Sequence, residues 1–262
     1  MRNSYLVLLA ISFGMVFISP SHVAADKASP EPLSLEEIVT LKKVTSVHMS
    51  PNGDAIAYLL SVPRKLYSDD DGEAWKQLHV VDLLGNSRPY FSGMAEVSSV
   101  AWSTDGNDLY FVAQRGEDSK HPNILRMSLH GGEATLVYAG KSDIKSIYPS
   151  PDGATIAFLA TEPKPAIDEK LADKGFKALV YEESKKNTRV WMLNLETGEA
   201  VPQELTGSAS RLAWAPDGKA YAVALAPTPQ VDDSYVARDI FIVNAENGAV
   251  QNQLGSVGKL GH

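Results

Sequence analysis

The sequence predicts an all-β chain: a β-propeller of four-stranded blades, with about four blades present, apparently truncated. Three observations carry this. A tight turn, Ser150-Pro151-Asp152-Gly153, leads into the apolar run Ile156-Ala157-Phe158, and recurs as Ser50-Pro51-Asn52-Gly53, Ser103-Thr104-Asp105-Gly106 and Ala215-Pro216-Asp217-Gly218. Pro presets φ at the second turn position, Asp or Asn bonds the backbone ahead, and Gly takes the positive φ. A second Gly turn follows a third strand in each copy, at Gly85, Gly131-Gly132, Gly198 and Gly248. The spacing then separates a rigid from a variable half. Gly85 to Gly106, Gly132 to Gly153 and Gly198 to Gly218 are 21, 21 and 20 residues apart, whereas the segments between first and second turns run from 26 to 45. A repeat that takes its insertions in one fixed loop is the pattern of propeller blades. The alternative is a β-sandwich or a chain of hairpins, which gives no reason for two turn chemistries to repeat in step.

In chain order, Arg2, the apolar run Tyr5 to Ile18 and the small residues Val23-Ala24-Ala25 read as a secretory signal peptide over 1–25. The alternative is an uncleaved anchor, for which the run is short. The expected location is periplasmic or secreted, with no membrane association after cleavage. Residues 26–43 are a polar lead-in and a short helix. Ser34-Leu35-Glu36-Glu37 is a capping box, and Leu35, Ile38, Val39 and Leu41 form one apolar face, so the helix is expected over Leu35 to Lys42. The incomplete propeller occupies 44–262, with units at about 44–90, 97–138, 144–205 and 212–254.

The longest insertion, Glu162 to Asn187, opens with Pro163 and Pro165, is helix-prone from Ile167 to Lys177, and is strand or helix over Ala178 to Glu183. Long loops in compact repeats often carry function; the bland reading is a solvated excursion. Trp102, Trp191 and Trp214 lie on strands, and their repetition at equivalent places reads as packing between blades, not a ligand platform. Continued, the constant half-unit puts the next first-turn glycine near 268, beyond His262.

Chemistry-bearing patterns are few. The net charge of -8 and the lack of a basic run disfavour nucleic acid. The chain has no Cys, which excludes disulfides, thiolate metal sites and a Cys nucleophile. It has no Gly-x-Ser-x-Gly, no Gly-x-x-x-x-Gly-Lys and no His-Glu-x-x-His. His48, His79, His121, His130 and His262 are scattered singly, so no metal site and no cofactor are implied. Asp69-Asp70-Asp71-Gly72-Glu73 lacks the alternation of a calcium loop, and it and Asp232-Asp233 read as solvated loops.

The Ser-Pro-Asp-Gly turns with Ile-Ala-Phe-type strands, and the strand-turn Trp191-Met192-Leu193-Asn194-Leu195-Glu196-Thr197-Gly198-Glu199, resemble the TolB-like propeller repeat. The order of signal peptide, Leu-Glu-Glu helix, first repeat and charged insertion ending in Tyr181-Glu182-Glu183 and Arg189-Val190-Trp191 is similar to the N-terminal half of secreted prolyl oligopeptidase-family serine peptidases, in their acylaminoacyl- and dipeptidyl-peptidase branches. The resemblance spans about Leu33 to His262. It implies a propeller that gates access of peptide substrates to a C-terminal α/β-hydrolase domain carrying a Ser-Asp-His triad, absent from this chain, so no catalytic residue is assigned. It also implies a substrate-amine role for Glu182 and Glu183, although they lie before the third strand of their unit, away from the family position. Two other functions stay open: a TolB-like periplasmic interaction propeller without catalysis, and a propeller with a ligand or metal site on its axis.

Overall fold

The structure, a computed structural model, describes residues 32–114, 120–163, 165–176, 178 and 185–255. Residues 1–31, which hold the expected signal peptide, and Tyr181, Glu182, Glu183 and His262 lie outside the described residues. The chain divides into two compact units, 1–38 and 39–262.

The capping box forms as its residue types require. The Glu37 amide donates to Ser34 Oγ (3.2 Å), and Ser34 N and Oγ both donate to Glu37 Oε2 (2.8 Å each). The helix α1 is shorter than expected, Leu35–Val39, and buries no residue. Its last turn runs into Val39-Thr40, both β-branched, and the chain is already extended at Lys43.

Four four-stranded antiparallel sheets follow, each a simple meander in chain order. Blade 1 is β1 (Lys43–Met49), β2 (Ala55–Val62), β3 (Trp75–Asp82) and β4 (Ser87–Phe91). Blade 2 is β5 (Val97–Trp102), β6 (Asp108–Ala113), β7 (Asn123–Ser128) and β8 (Thr135–Tyr138). Blade 3 is β9 (Ile144–Pro149), β10 (Thr155–Thr161), β11 (Thr188–Asn194) and β12 (Ala200–Pro202). Blade 4 is β13 (Ser208–Trp214), β14 (Ala220–Ala226), β15 (Asp239–Asn244) and β16 (Val250–Leu254).

The repeated first turn works the same way in every blade. Gly53, Gly106, Gly153 and Gly218 take φ of 70–73°, and each amide closes the turn onto the carbonyl three residues back at 2.9–3.0 Å. In blades 1 to 3 the turn serine is buried and its hydroxyl accepts from the amide that opens the second strand, as in Thr155 N to Ser150 Oγ (3.0 Å). That hydroxyl donates in turn to a nearby carboxylate. Asp105 accepts from Ser103 Oγ (2.6 Å) and from the Asn107 backbone and side-chain amides (3.1 and 2.9 Å), which together hold its carboxyl down at about 2. A folded value below that of the unfolded chain stabilises fully above about pH 4, and this contribution is lost as the pH falls toward 2.

The blades stack face to face. Positions along the second strand alternate between the face turned to the next blade and the face turned to the previous one. Ala55, Ala57 and Leu59 of blade 1 meet Leu109, Phe111 and Ala113 of blade 2. Tyr110 and Val112 meet Ile156, Phe158 and Ala160 of blade 3. Ala157 and Leu159 meet Tyr221, Val223 and Leu225 of blade 4. In blades 1 and 3 the forward face carries Ala55 and Ala57, or Ala157, against Phe111 or Tyr221, whereas blade 2 presents Tyr110 against Phe158. The middle blades show the result: every residue of β6 is buried, and so are Ile156 to Ala160 of β10. In blade 1 only alternate residues of β2 are buried, and Ile56, Tyr58 and Leu60 are half-exposed on the backward face. In blade 4 the forward face, Ala220, Ala222 and Ala224, is half-exposed.

Trp102 and Trp214 pack between blades, and their indoles fasten them. Trp102 Nε1 donates to the His48 carbonyl (2.8 Å) and Trp214 Nε1 to the Tyr148 carbonyl (2.9 Å), each two residues before the first turn of the preceding blade. Trp191 also packs into the core, stacked on Phe158 with centroids 6.0 Å apart. The Tyr221 hydroxyl is buried at the blade 3–blade 4 interface with no hydrogen-bond partner among the described residues, and burial pushes it up to about 12. The unfolded phenol ionises near 10, so this tyrosine leaves stability flat below pH 10 and lowers it as the pH rises toward 12. Tyr221→Phe is therefore expected to keep or slightly raise stability at pH 7 and to weaken the loss between pH 10 and 12. Urea unfolding at pH 7, 10 and 11 checks both.

Two loops differ from expectation. The insertion helix α2 is Ala166–Asp173, ending at Lys174 and Gly175 (φ 91°) before the expected Lys177. Asp232-Asp233, read as a solvated loop, forms the first turn of a short helix α3, Val231–Val236. Acidic residues suit a helix N-terminus, and the half-buried Asp233 also accepts from Thr228 Oγ1 (2.6 Å).

Candidate functional site

Because each blade is an up-and-down meander, its second-to-third-strand loop and its exit to the next blade lie at the same end. The long insertion leaves from that end, and there a groove of about 500 Å3 opens between blades 2 and 3. Its walls come from three connections: Lys120 and His121 before β7; Lys141, Ser142 and Asp143 before β9; and the insertion stem.

Local chemistry fixes each wall. Gly140, at the head of the second connection, lies against the Pro122 carbonyl so closely that a Cβ there would sit 2.0 Å from the oxygen. Its amide donates to Asn123 Oδ1 (3.1 Å), which joins the first two walls. Thr161 N donates to the Asp143 carbonyl (3.0 Å), and Glu162 N to the Asn187 carbonyl (2.9 Å), closing the base of the insertion. Arg189 clasps that base: Nε and Nη2 both reach Glu162 Oε1 at 2.7 Å, and Nη1 donates to the Leu205 carbonyl at 2.7 Å. A charge-assisted contact between half-buried partners holds geometry better than an exposed pair does.

The lining is charged with both signs. His121 Nδ1 lies 3.8 Å from Asp143 Oδ1 across the blade boundary, and Lys186 Nζ lies 3.8 Å from Asp168 Oδ2 on α2. Ser142 is buried at 8% exposure.

Of the residues singled out in the sequence, Glu182 and Glu183 lie outside the described residues. His121 is in the groove, whereas His48 and His79 serve the fold. His48 supplies the carbonyl for Trp102, and burial lowers its imidazole from the ordinary range. His79 stacks on Tyr58 at 5.3 Å, and burial lowers it too. The Asp69 to Glu73 loop wraps Arg64, which donates to the Asp70 and Glu73 carbonyls (3.2 and 2.8 Å) and lies 3.8 Å over the Trp75 ring. Among the described residues no three His, Asp or Glu side chains converge to hold a metal. Lys120, Lys141, Asp143 and Glu162 were not singled out from the sequence. Their signal was positional: all lie within three residues of a strand end on the insertion side.

No family model matches the chain. It is 25% identical over 228 residues to the uncharacterized peptidase YuxL of Bacillus subtilis (strain 168), a match taking in 80% of this chain and 34% of that one. Among solved structures it superposes on the Pyrococcus horikoshii acylaminoacyl peptidase with a TM-score of 0.58 at 16% identity, over 85% of this chain and 34% of the other. It superposes on TolB from Acinetobacter baumannii with a TM-score of 0.50 at 15% identity, over 83% of this chain and 56% of the other. The chain spans about a third of the length of the peptidases it matches. The resemblance carried by the turns thus holds at both levels: the fold is a TolB-like propeller, and the chain is similar to the propeller portion of peptidases.

Proposed function

We propose that this chain is the substrate-gating propeller of an exported serine peptidase, with peptide hydrolysis carried out by an α/β-hydrolase domain outside these 262 residues. The observation that carries this reading is the match to YuxL, which takes in four fifths of this chain but a third of a peptidase. In this reading the propeller does no bond chemistry. It excludes water and folded protein from the catalytic domain and admits extended peptides at the end that bears the insertion and the groove. Export is part of the proposal and rests on the charged, apolar and small-residue order of 1–25. A second reading, an interaction propeller without catalysis, is favoured by the superposition on TolB.

Fluorophosphonate labelling separates the two. The 262-residue chain is expected to take no label and to hydrolyse no peptide or ester above background, while the product of the complete reading frame is labelled at one serine. A labelled 262-residue chain, or an unlabelled complete product, overturns the peptidase reading.

A further inference from the structure

We infer that this chain pairs with a second copy of itself head to tail, the forward face of blade 4 in one copy docking on the backward face of blade 1 in the other. This goes beyond the proposed function and does not rest on it. The three junctions inside the chain supply the pattern. Counted from the first-turn glycine, the second, fourth and sixth residues face forward and the third, fifth and seventh face backward, and each forward set packs on the backward set of the next blade. Two sets are left over. Ala220, Ala222 and Ala224 face forward from blade 4, Ile56, Tyr58 and Leu60 face backward from blade 1, and all six are half-exposed. The leftover forward set is the smallest of the four and the leftover backward set is the bulkiest. A trough of about 300 Å3 lies along Ala213, Ala222 and Ala224, and close packing puts large side chains opposite small ones in such a space. Ala222 of one copy then sits against Ile56 and Tyr58 of the other, as Ala157 does against Tyr221 and Val223.

The rest of each face agrees. On blade 1, Val47 and Met49 pair with Tyr58 and Ile56 on the backward face and are 64% and 67% exposed. Met49 stands four residues before its turn glycine, the place that Trp102 and Trp214 take in packing onto the preceding blade. The charged residues Lys43, Lys76 and Asp82 of β1 and β3 pair with the forward positions Ser61 and Ala55, so the register keeps them off the backward face. An antiparallel sheet that turns one face to water carries its polar residues there, and this face does not. The turns repeat the point. Asn52, Thr104 and Pro151 lie within 4 Å of where a Cβ on the next blade's turn glycine would sit, at Gly106, Gly153 and Gly218, whereas among the described residues nothing stands there beside Gly53. On blade 4, Arg211 opposite Ala224 is exposed, and a side chain of that length lays its stem on apolar surface while its charge stays in water.

The contact is large enough when it is made twice. A face of four strands about 4.8 Å apart and about 20 Å long spans about 400 Å2 in projection. In a pair joined at both ends each copy contributes two such faces, about 800 Å2, the share of one partner in a stable interface. The pair carries eight blades, four from each copy, at the upper end of the number in closed propellers. Ring closure also stops a head-to-tail contact from growing into a filament.

The test begins with sedimentation equilibrium of the 262-residue chain, which is expected to show a monomer–dimer equilibrium. Val47→Asp and Ala222→Asp each place a carboxylate in one of the two faces, and each is expected to weaken association at least about 100-fold. Val201→Asp, at an exposed position of β12 in blade 3, should leave it unchanged. Neither Val47 nor Ala222 is buried in the single chain, so their variants should keep the wild-type circular dichroism spectrum. The chain has no Cys, so Ala222→Cys and Ile56→Cys each introduce one thiol, and a short bis-maleimide then reads the direction of the contact. Cross-linked dimer is expected from a mixture of these two variants and not from either alone. A monomeric wild type, association that survives Val47→Asp or Ala222→Asp, or a cysteine variant that cross-links to itself overturns the pairing. No hydrolysis or serine labelling is read, so failure here leaves the test of the peptidase reading untouched.

Discussion

Ala157→Asp is expected to unfold the 262-residue chain, whereas Ala222→Asp, at the equivalent place one blade on, leaves it folded. Both residues occupy the third position of a second strand and face forward. Ala157 is 0% exposed and lies in the cluster with Tyr221 and Val223 of blade 4. A carboxylate there has no partner and no water, a cost above about 3 kcal/mol against a total stability of about 5–15. Ala222 is half-exposed, so its carboxylate stays hydrated and costs about 1 kcal/mol or less, mostly strand preference. Urea unfolding of the two variants measures the difference. The contrast also reports on function. In a longer product whose next blade covers this face, Ala222→Asp should become as damaging as Ala157→Asp.

Trp102→Ala is expected to cost about 3–5 kcal/mol, from the buried area and the space it leaves. Trp102 is 8% exposed and belongs to the cluster that joins blades 1 and 2. Its loss also strips the His48 carbonyl of its indole donor at 2.8 Å. Trp102→Phe separates the two contributions, because it keeps most of the apolar contact and loses the hydrogen bond, for about 1–3 kcal/mol. If Trp102→Phe proves as damaging as Trp102→Ala, the indole bond and not the packing is what joins the blades. Equal, small effects for both would mean that the interface holds without this residue.

The repeat was legible because its turns have obligatory chemistry. Gly153 must take positive φ, Pro151 fits only one turn position, and Ser150 answers the first strand amide, so the signal survives divergence at every other site. The apolar alternation in Ala55 to Leu60 and Tyr221 to Ala226 is weaker, and it could not say which blades were covered on both faces; β6, buried throughout, reads as one unbroken apolar run after Asp108. The β-bulges at Val44/Ser46, Val97/Ser99, Ile144/Ser146 and Ala209/Arg211, near the start of the first strand in all four blades, left no mark that sequence reading caught. Helix α3 was missed because Asp232-Asp233 suits a solvated loop and a helix first turn equally well. The groove was least legible. Lys120, Lys141 and Glu162 come from three separate connections, and no period or motif links them until the meander brings the strand ends together.

The measurement to make first is the coding sequence past the codon for His262. The peptidase reading predicts an in-frame continuation with a Pro-Asp-Gly-type turn near residue 268, spaced as in the preceding repeats, and a later Gly-x-Ser-x-Gly followed by Asp and His. A stop directly after that codon, or a continuation that adds blades and ends without a nucleophile elbow, would contradict it and leave the interaction propeller standing.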